Sequence, residues 1–262
     1  MKKLVMVVLA GLVSGVVAAG PADDAYQAAL KLKSDKDFAA ASAALQKVAT
    51  DHPALAGRAK WAAADCLFGQ GLNAEAAEAF AVVAKDYAKE KSVACNALHY
   101  QGMSYARQRK YEEALVPLDK ALADYPEEAA AVNVGIERAR VLQSLRRYDE
   151  AITAAKQILA ASVAFNTTRA LTQELVGACY EAAGKKSDAQ AAYMAALTEN
   201  IHYGSLAATS HGVRIFDLVN PSVVGAASYK AFVTELILLT PATEDNAKFL
   251  GRLKSELEKI KE

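Results

Sequence analysis

The stretch from Leu98 to Pro126, LHYQGMSYARQRKYEEALVPLDKALADYP, decides the fold that this sequence predicts. Small or apolar residues recur at spacings of three and four on either side of a polar turn: Leu98, Gly102 and Tyr105 before it, and Ala114, Leu118 and Ala121 after it. This spacing places residues on one face of an α-helix. The stretch therefore predicts two short helices joined by a turn, which together form a helical hairpin.

The same pattern occurs five times between residues 20 and 200. Each copy carries a small residue near the start of its second helix, and these residues are Ala41, Ala76, Ala114, Ala151 and Ala189. Successive positions are 35, 38, 37 and 38 residues apart. A regular period of this length is typical of repeat proteins, in which each repeat is one supersecondary unit. We therefore expect five hairpins that differ mainly in the links between them.

A second set of small residues lies twelve positions before the first set. Its members are Ala29, Ala64, Gly102, Ala139 and Gly177. A side chain larger than alanine at this place would hold adjacent helices apart, so small residues in all five copies favour close stacking of the hairpins. An isolated hairpin cannot bury its apolar face, whereas stacked hairpins share a continuous core.

The quoted stretch resembles the tetratricopeptide repeat, a unit of about 34 residues. The positions that carry the resemblance are Gly102, Tyr105, Tyr111, Ala114, Ala121 and Pro126. The resemblance implies an all-α fold, a right-handed superhelix of about five hairpins with a concave side, followed by C-terminal capping helices. Among exported relatives, the pattern resembles the repeat proteins of envelope assembly, such as the Tol-Pal system coordinator, although the lipid-modified cysteine of the outer-membrane assembly lipoproteins is absent.

The resemblance also implies a binding surface, because the first helices of tetratricopeptide hairpins line the concave face. Carried over to this chain, the partner-binding positions are Arg58, Trp61, Asp65, Phe68, Asn96, His99, Met103, Arg107, Asn133, Ile136, Arg140 and Gln143. Trp, Phe, Met and Arg are enriched where proteins contact each other, and Asn can hydrogen-bond an extended backbone. The alternative for each residue is an ordinary packing or solvated role.

The first nineteen residues have the pattern of a secretory signal peptide. Two lysines precede an apolar run from Leu4 to Val17, and Val17-Ala18-Ala19 offers small side chains for cleavage after Ala19. The run is shorter than the roughly twenty residues that span a bilayer. No cysteine follows it to accept a lipid. We expect a periplasmic or secreted protein that does not insert into the membrane after cleavage.

Residues 201–262 lack the repeat period but remain helical in pattern. We expect one helix over residues 202–218, a second over 222–239, and a third that starts near Thr243, which can cap it. The last helix carries an apolar stripe of Leu250, Leu253, Leu257 and Ile260. The stripe predicts a cap over the end of the repeats, or alternatively a docking helix for another chain. The apolar run from Leu236 to Leu239 is expected to be buried.

Composition and motifs argue against catalysis, metal binding and nucleic-acid binding. The chain has 30 basic and 30 acidic residues, so it lacks the basic field that nucleic-acid binding needs. It has no glycine-rich phosphate loop, no nucleophile elbow and no Cys-x-x-Cys motif. Its four histidines are not spaced as metal ligands on one helical face. We predict no cofactor and no metal.

Three cysteines occur in a chain predicted to be exported. Cys66 and Cys179 occupy the same slot in the second and fifth repeats, too far apart for a disulfide. Cys66 and Cys95 lie on neighbouring first helices but out of register. We expect all three to be small packing residues. The alternative is a reactive thiol at Cys95, because it is predicted to open a helix, where the dipole lowers a thiol pKa.

The sequence as a whole predicts a non-catalytic scaffold that binds a peptide or protein segment in its concave groove, and the resemblance to envelope repeat proteins implies a role in envelope assembly or maintenance. One rival hypothesis is a homo-oligomerisation module that uses the stripe from Leu250 to Ile260. A second rival is an enzyme with an active site around His202, Tyr203 and His211. The partner and the pathway are not specified by any motif.

Overall fold

The computed structural model describes residues 20–161, 167–201 and 210–260, apart from the side chains of residues 167, 200, 210 and 211. The predicted signal peptide at residues 1–19 lies outside this part of the chain, as do His202 and Tyr203. The described residues form helices and turns without a β-strand, which confirms the predicted all-α class. No helix among them is long and apolar enough to cross a membrane.

Fourteen helices follow one another along the described residues, most of them about fourteen residues long. They are α1 (Pro21–Ser34), α2 (Phe38–Asp51), α3 (Ala56–Gly69), α4 (Asn73–Asp86), α5 (Lys91–Arg107), α6 (Tyr111–Asp124), α7 (Ala131–Ser144), α8 (Tyr148–Ala161), α9 (Thr167–Ala182), α10 (Lys186–Ile201), α11 (Ser210–Leu218), α12 (Pro221–Val224), α13 (Ala226–Leu239) and α14 (Ala247–Lys259). A short 3-10 turn at Pro53–Leu55 precedes α3.

The chain divides into two compact units, Met1–Gln70 and Gly71–Glu262. In the first unit α1 contacts α2, α2 contacts α3, and α1 also contacts α3. Its core includes Tyr26, Leu45, Val48 and Cys66, all less than 7% exposed. Helix α3, which begins the next hairpin, therefore packs against both helices of the first hairpin, α1 and α2.

The second unit stacks its helices in chain order from α4 to α10. Each helix contacts the next, and α5 contacts α7 while α7 contacts α9. The first helices of successive hairpins therefore form a continuous layer of their own. This layer carries all eight predicted partner-binding residues of the second unit, because those residues lie on α5 and α7.

The five small residues in the first helices are all buried. Gly102 illustrates why the position must be small: a Cβ atom there would lie 2.6 Å from Cγ and 2.7 Å from Cδ2 of Leu118 on α6. Carbon atoms pack at about 3.5–4.0 Å, so no side chain fits without displacing Leu118. A Cβ at Gly177 would likewise overlap the ring of Tyr193 on α10. The two glycines permit close contact within their hairpins.

Ion pairs of the same register connect consecutive hairpins of the second unit. Arg147 lies 3.6 Å from Glu112, and Lys185 lies 2.8 Å from Asp149, one repeat further along. In each pair the basic residue precedes the second helix of one hairpin, and the acidic residue begins the second helix of the hairpin before it. Exposed pairs of this kind stabilise a protein by only about 0–1 kcal/mol. They follow the repeat register but contribute little to stability.

The C-terminal region differs from the sequence expectation in two helix boundaries. The helix predicted over residues 222–239 is split into α12 and α13 at Gly225, whose φ of +88° lies in the left-handed region that favours glycine. The last helix begins at Ala247 and not near Thr243, so Thr243 does not cap it. The buried amide of Asn246 donates to the carbonyl of Pro241 at 2.9 Å and holds the chain in a turn before the helix.

The expectation that the run from Leu236 to Leu239 is buried is wrong for Leu238. Leu236 is fully buried, whereas Leu238 is 79% exposed. Consecutive helical residues are about 100° apart around the axis, so four in a row cannot all face one core. Leu238 lies on the outer face of α13.

The apolar stripe of α14 packs inside the chain. Leu253 is fully buried, and Leu257 and Ile260 pack against the same core of residues from α10, α11 and α13. Three of the four stripe residues thus contact the chain's own core, Leu250 is half-buried, and the oligomerisation hypothesis for this stripe stays a prediction. Helices α11, α12 and α13 also contact α10, so the last hairpin is covered on that side.

Candidate functional site

A cleft opens between α5 and α7, the first helices of two consecutive hairpins. Its volume is about 280 Å³. Its lining residues come from three helices: Met103, Ala106 and Arg107 of α5, Tyr111 of α6, and Glu137, Arg140, Val141 and Ser144 of α7. The cleft thus brings together three of the residues predicted from the sequence, Met103, Arg107 and Arg140.

The helical repeat explains why α7 presents this particular set of residues. Glu137, Arg140, Val141 and Ser144 are three, four and seven positions apart, so they lie on one face of the helix. Ser144 follows Arg140 by four residues, as Arg107 follows Met103. Sequence reasoning missed Ser144 and Glu137, although this spacing could have identified both.

The cleft has charged walls and a largely apolar floor. The guanidinium of Arg140 lies 3.6 Å from the carboxylate of Glu137, whose side chain is only 16% exposed, while the Arg140 side chain is 49% exposed. Arg107 is exposed at the end of α5. Met103 and Ala106, both half-buried, supply the apolar surface, whereas Val141 is only 1% exposed. The charged residues that line the cleft are thus two arginines and one glutamate.

His99 lies one turn before Met103 on α5, and it is electrostatically coupled to the cleft. Burial, together with the positive charge of Arg140, lowers the pKa of His99 to about 4. Its ring meets that of Tyr100 edge to face at 5.6 Å between centroids. His99 is therefore neutral at physiological pH, and its side chain adds no charge to this region.

Because the pKa of His99 is lowered in the folded protein, this residue is expected to make the free energy of unfolding depend on pH in the acid range. Between pH 6.5 and 4 the unfolded chain binds the proton at His99 and the folded chain does not, so the free energy of unfolding falls as the pH drops through this range. The loss is about 2–3 kcal/mol at pH 4. Urea denaturation from pH 7 to 4 should show that His99→Gln is destabilised less by acid than the native protein. If the free energy of unfolding of the two proteins depends equally on pH, the lowered pKa of His99 is contradicted.

The other predicted residues of α5 and α7 lie outside the cleft lining. Ile136 is buried, at 6% exposed, and offers little surface to a partner. Asn96 donates its amide to the carbonyl of Ser92 at 2.8 Å, so this N–H₂ group is already used within the helix. Asn133 is exposed and Gln143 half-buried.

The four predicted residues of the first unit lie on α3, and three of them contact α1. The guanidinium of Arg58 lies 5.4 Å from the ring centroid of Tyr26. Lys33 of α1 lies 5.9 Å from the ring centroid of Trp61 and forms an ion pair with Asp65. Phe68 is 6% exposed. These contacts connect α1 to α3, and the role of the four residues in binding a partner stays a prediction.

The structure corrects the reactive-thiol alternative for Cys95. Cys95 is the fifth residue of α5 and is fully buried, so it does not open the helix as expected. Burial, with a smaller effect of Glu128, raises the pKa of its thiol to about 11. Cys66 and Cys179 are also buried, and burial raises the pKa of both thiols. All three cysteines are free thiols in packing positions.

No cluster of three or more potential metal-ligating side chains occurs among the described residues. The rival enzyme site falls on His202, Tyr203 and the side chain of His211, which are outside the described residues. That hypothesis therefore keeps only its original basis in the sequence.

Comparison with known proteins identifies the repeat. The sequence profile of the family described as "Tetratricopeptide repeat" matches residues 96–128. This segment includes α6 and all but the first five residues of α5. A comparison with curated proteins finds no sequence match.

Solved structures of low sequence identity share the fold. One is the crystal structure of nearly identical TPR-like repeats of a putative kinesin light chain from Podosopora anserina, which is 17% identical, has a TM-score of 0.56, and matches over 67% of this chain and 92% of that one. A tetratricopeptide repeat protein from Parabacteroides merdae is 14% identical with a TM-score of 0.55, over 91% of this chain and 88% of that one. BtubC from P. vanneervenii is 13% identical with a TM-score of 0.54, over 92% and 91%.

At these identities the likeness shows the fold alone. Together with the profile match, it indicates that residues 96–128 form a tetratricopeptide repeat within a chain that has the all-helical fold of tetratricopeptide-repeat proteins.

Proposed function

We propose that this protein is a non-catalytic scaffold that binds a segment of a protein partner, with the cleft between α5 and α7 as an anchoring site. The observation that carries the proposal is the convergence of Met103, Arg107 and Arg140 from two consecutive hairpins. Pockets that enclose a drug-sized ligand have volumes of about 300–1,000 Å³. The smaller cleft here fits one side chain of a partner segment, and the rest of the segment would extend along the layer of first helices.

The chemistry of the cleft favours an acidic side chain in that position. Arg140 can donate two parallel hydrogen bonds to a carboxylate, a geometry that lysine cannot provide. Glu137 lies beside Arg140 and repels an anion, but its side chain is only 16% exposed, whereas that of Arg140 is 49% exposed and accessible to a partner. Met103 and Ala106 would contact the aliphatic part of the bound side chain. The preferred partner segment therefore carries an aspartate or glutamate next to apolar residues.

We propose further that the protein acts outside the cytoplasm, as a periplasmic or secreted component of envelope assembly or maintenance. This part of the proposal rests on the signal-peptide pattern of residues 1–19 and on the sequence resemblance to envelope repeat proteins. A scaffold with one site that binds an acidic segment of a partner would hold proteins together without changing them chemically.

Arg140→Ala is expected to weaken the binding of an acidic peptide by about tenfold, because one charge-assisted contact is lost. The measurement is fluorescence anisotropy with an array of ten-residue peptides that differ in charge and in apolar content. Arg138→Ala is the matched control: it removes the same charge from the same helix, but Arg138 pairs with Asp119 and is not part of the cleft.

The comparison of the two variants decides the proposal. If both weaken binding equally, the attraction is a general effect of charge and the cleft is not the site. If no peptide in the array distinguishes Arg140→Ala from the native protein, the scaffold proposal for this cleft is wrong. Circular dichroism of each variant verifies that the helices remain folded.

A further inference from the structure

Helix α13 is apolar on two opposite faces, only one of which is covered. Tyr229, Phe232, Val233 and Leu236 are buried in the C-terminal core. The outer face carries a second seam, which we define as Ala227, Ala231, Thr234 and Leu238; all four are exposed, and Leu238 is 79% exposed. The seam is therefore a strip of small and apolar side chains that the described part of the chain leaves uncovered.

The seam has the spacing of a helix–helix interface. Its members are four, three and four residues apart, which is the heptad spacing of helices that pack side by side. The hydroxyl of Thr234 donates to the carbonyl of Lys230 at 2.8 Å, so Thr234 presents its methyl group without an unsatisfied polar group. The two alanines allow a second helix to approach closely.

Opposite charges flank the seam. Lys230 and Glu235 are both exposed, and neither forms an ion pair with any residue in the described part of the chain. At about 100° per residue, Lys230 lies roughly 70° to one side of the seam and Glu235 roughly 70° to the other. They are five residues apart, so they cannot pair with each other along the helix as residues three or four apart do.

We propose that a second copy of this chain covers the seam, with the two α13 helices packed in parallel about a twofold axis. In a parallel pair, the residue at one edge of a seam lies beside the residue five positions further along at the other edge of the partner helix. Lys230 then lies beside Glu235 of the partner subunit, and Glu235 lies beside Lys230 of the partner subunit. The seam is thus complementary in charge to a second copy of itself.

An antiparallel pair does not fit the same charges. A twofold axis perpendicular to the helices would bring the two Lys230 side chains together on one edge and the two Glu235 side chains together on the other. Like charges in such positions are destabilising. The signs of the two charges therefore select the parallel arrangement.

The size of the seam sets the strength of association. Residues 227–238 span about 18 Å of helix. This contact is short compared with the standard interface of about 800 Å² on each partner. We expect a dimer that forms at micromolar concentration.

Sedimentation equilibrium of the purified protein, from about 1 to 100 µM, measures the dissociation constant of the dimer. The proposal is tested by comparing the native protein with variants in which the charges beside the seam are reversed. Lys230→Glu and Glu235→Lys should each weaken the dimer about tenfold, because each turns two attractive pairs into two repulsive ones. The double variant restores both attractions and should dimerise like the native protein. In the antiparallel arrangement no variant would differ from the native protein, since like charges would face each other in every case.

Cross-linking gives a second measurement. Ala231→Cys should form a disulfide-linked dimer under mild oxidation, because residue 231 faces its own copy across a parallel seam, while the three native cysteines are buried. Val116→Cys is the control, an exposed aliphatic position on α6 that should not cross-link. A native protein that stays monomeric at 100 µM, or a dimer indifferent to both single charge exchanges, overturns the proposal.

Discussion

Gly102→Leu is expected to lower the free energy of unfolding by about 3 kcal/mol. The reason is steric: Gly102 lies so close to Leu118 that even a Cβ atom would approach the Leu118 side chain to 2.6 Å. A leucine must therefore displace α5 from α6, in the hairpin that contains the repeat. A thermal melt followed by circular dichroism should show a midpoint about 6–12 °C lower than that of the native protein.

Gly251 provides the matched control for Gly102. It also lies inside a helix, α14, but a Cβ atom there meets nothing within 4 Å. Gly251→Ala should raise stability by about 0.5–1 kcal/mol, since alanine loses less backbone entropy than glycine in a helix. Gly102→Ala should not share this gain. A Gly102→Leu protein that melts at the native temperature would show that the hairpin tolerates separation of its helices.

Phe216→Ala is expected to lower the free energy of unfolding of the C-terminal helices by about 3–5 kcal/mol. Phe216 of α11 is 3% exposed and lies against three aromatic rings, with centroids 6.4 Å from Tyr229, 6.3 Å from Phe232 and 5.9 Å from Phe249. It is the ring that α13 and α14 share. Its removal leaves a cavity that these neighbours cannot fill without moving.

Hydrogen exchange is the measurement that locates this effect. Amides of α11, α13 and α14 should lose protection in Phe216→Ala, while amides of α5 and α6 should change less, because repeat proteins unfold in local units. Val116→Ala on α6 is the control. The side chain of Val116 is 69% exposed, so the free energy of unfolding of this variant should stay within about 0.5 kcal/mol of that of the native protein. Unchanged protection in the C-terminal helices would contradict the role of Phe216.

The same core explains a difference between the two apolar stripes of the C-terminal region. The α14 stripe is conspicuous in the sequence, because charged residues surround it on the other faces. The structure buries Leu253 of that stripe within the chain. Three of the four residues of the α13 seam are small, so the seam is easily overlooked in the sequence. The surface available to a second copy is therefore the less obvious of the two.

The helical hairpins are determined by the sequence itself. Helix formation depends on contacts three and four residues apart, and the positions of Ala114 and Gly102 within their helices can be read directly from the chain. Helix α5 ends and helix α6 begins at the turn that is predicted between residues 107 and 110. Close packing at Gly102 also follows from local composition, because only a small residue permits it.

Tertiary structure decided which of the candidate residues share a site. Met103, Arg107 and Arg140 converge because α5 contacts α7, a contact between residues more than thirty positions apart. Burial of Ile136 and Phe68 was equally inaccessible to the sequence, since apolar residues serve cores and binding surfaces alike. The same holds for Cys95, whose reactivity depends on solvent access.

The sequence by itself thus determined that this chain folds into tetratricopeptide-like hairpins, because local periodicity and the small residues at fixed positions encode both the helices and their close contact. Only the tertiary structure decided that a cleft lined by two arginines lies between α5 and α7, that Leu253 of the α14 stripe is buried, and that Leu238 is exposed. These features depend on which helix faces lie opposite each other, and contacts between residues distant in sequence determine that arrangement.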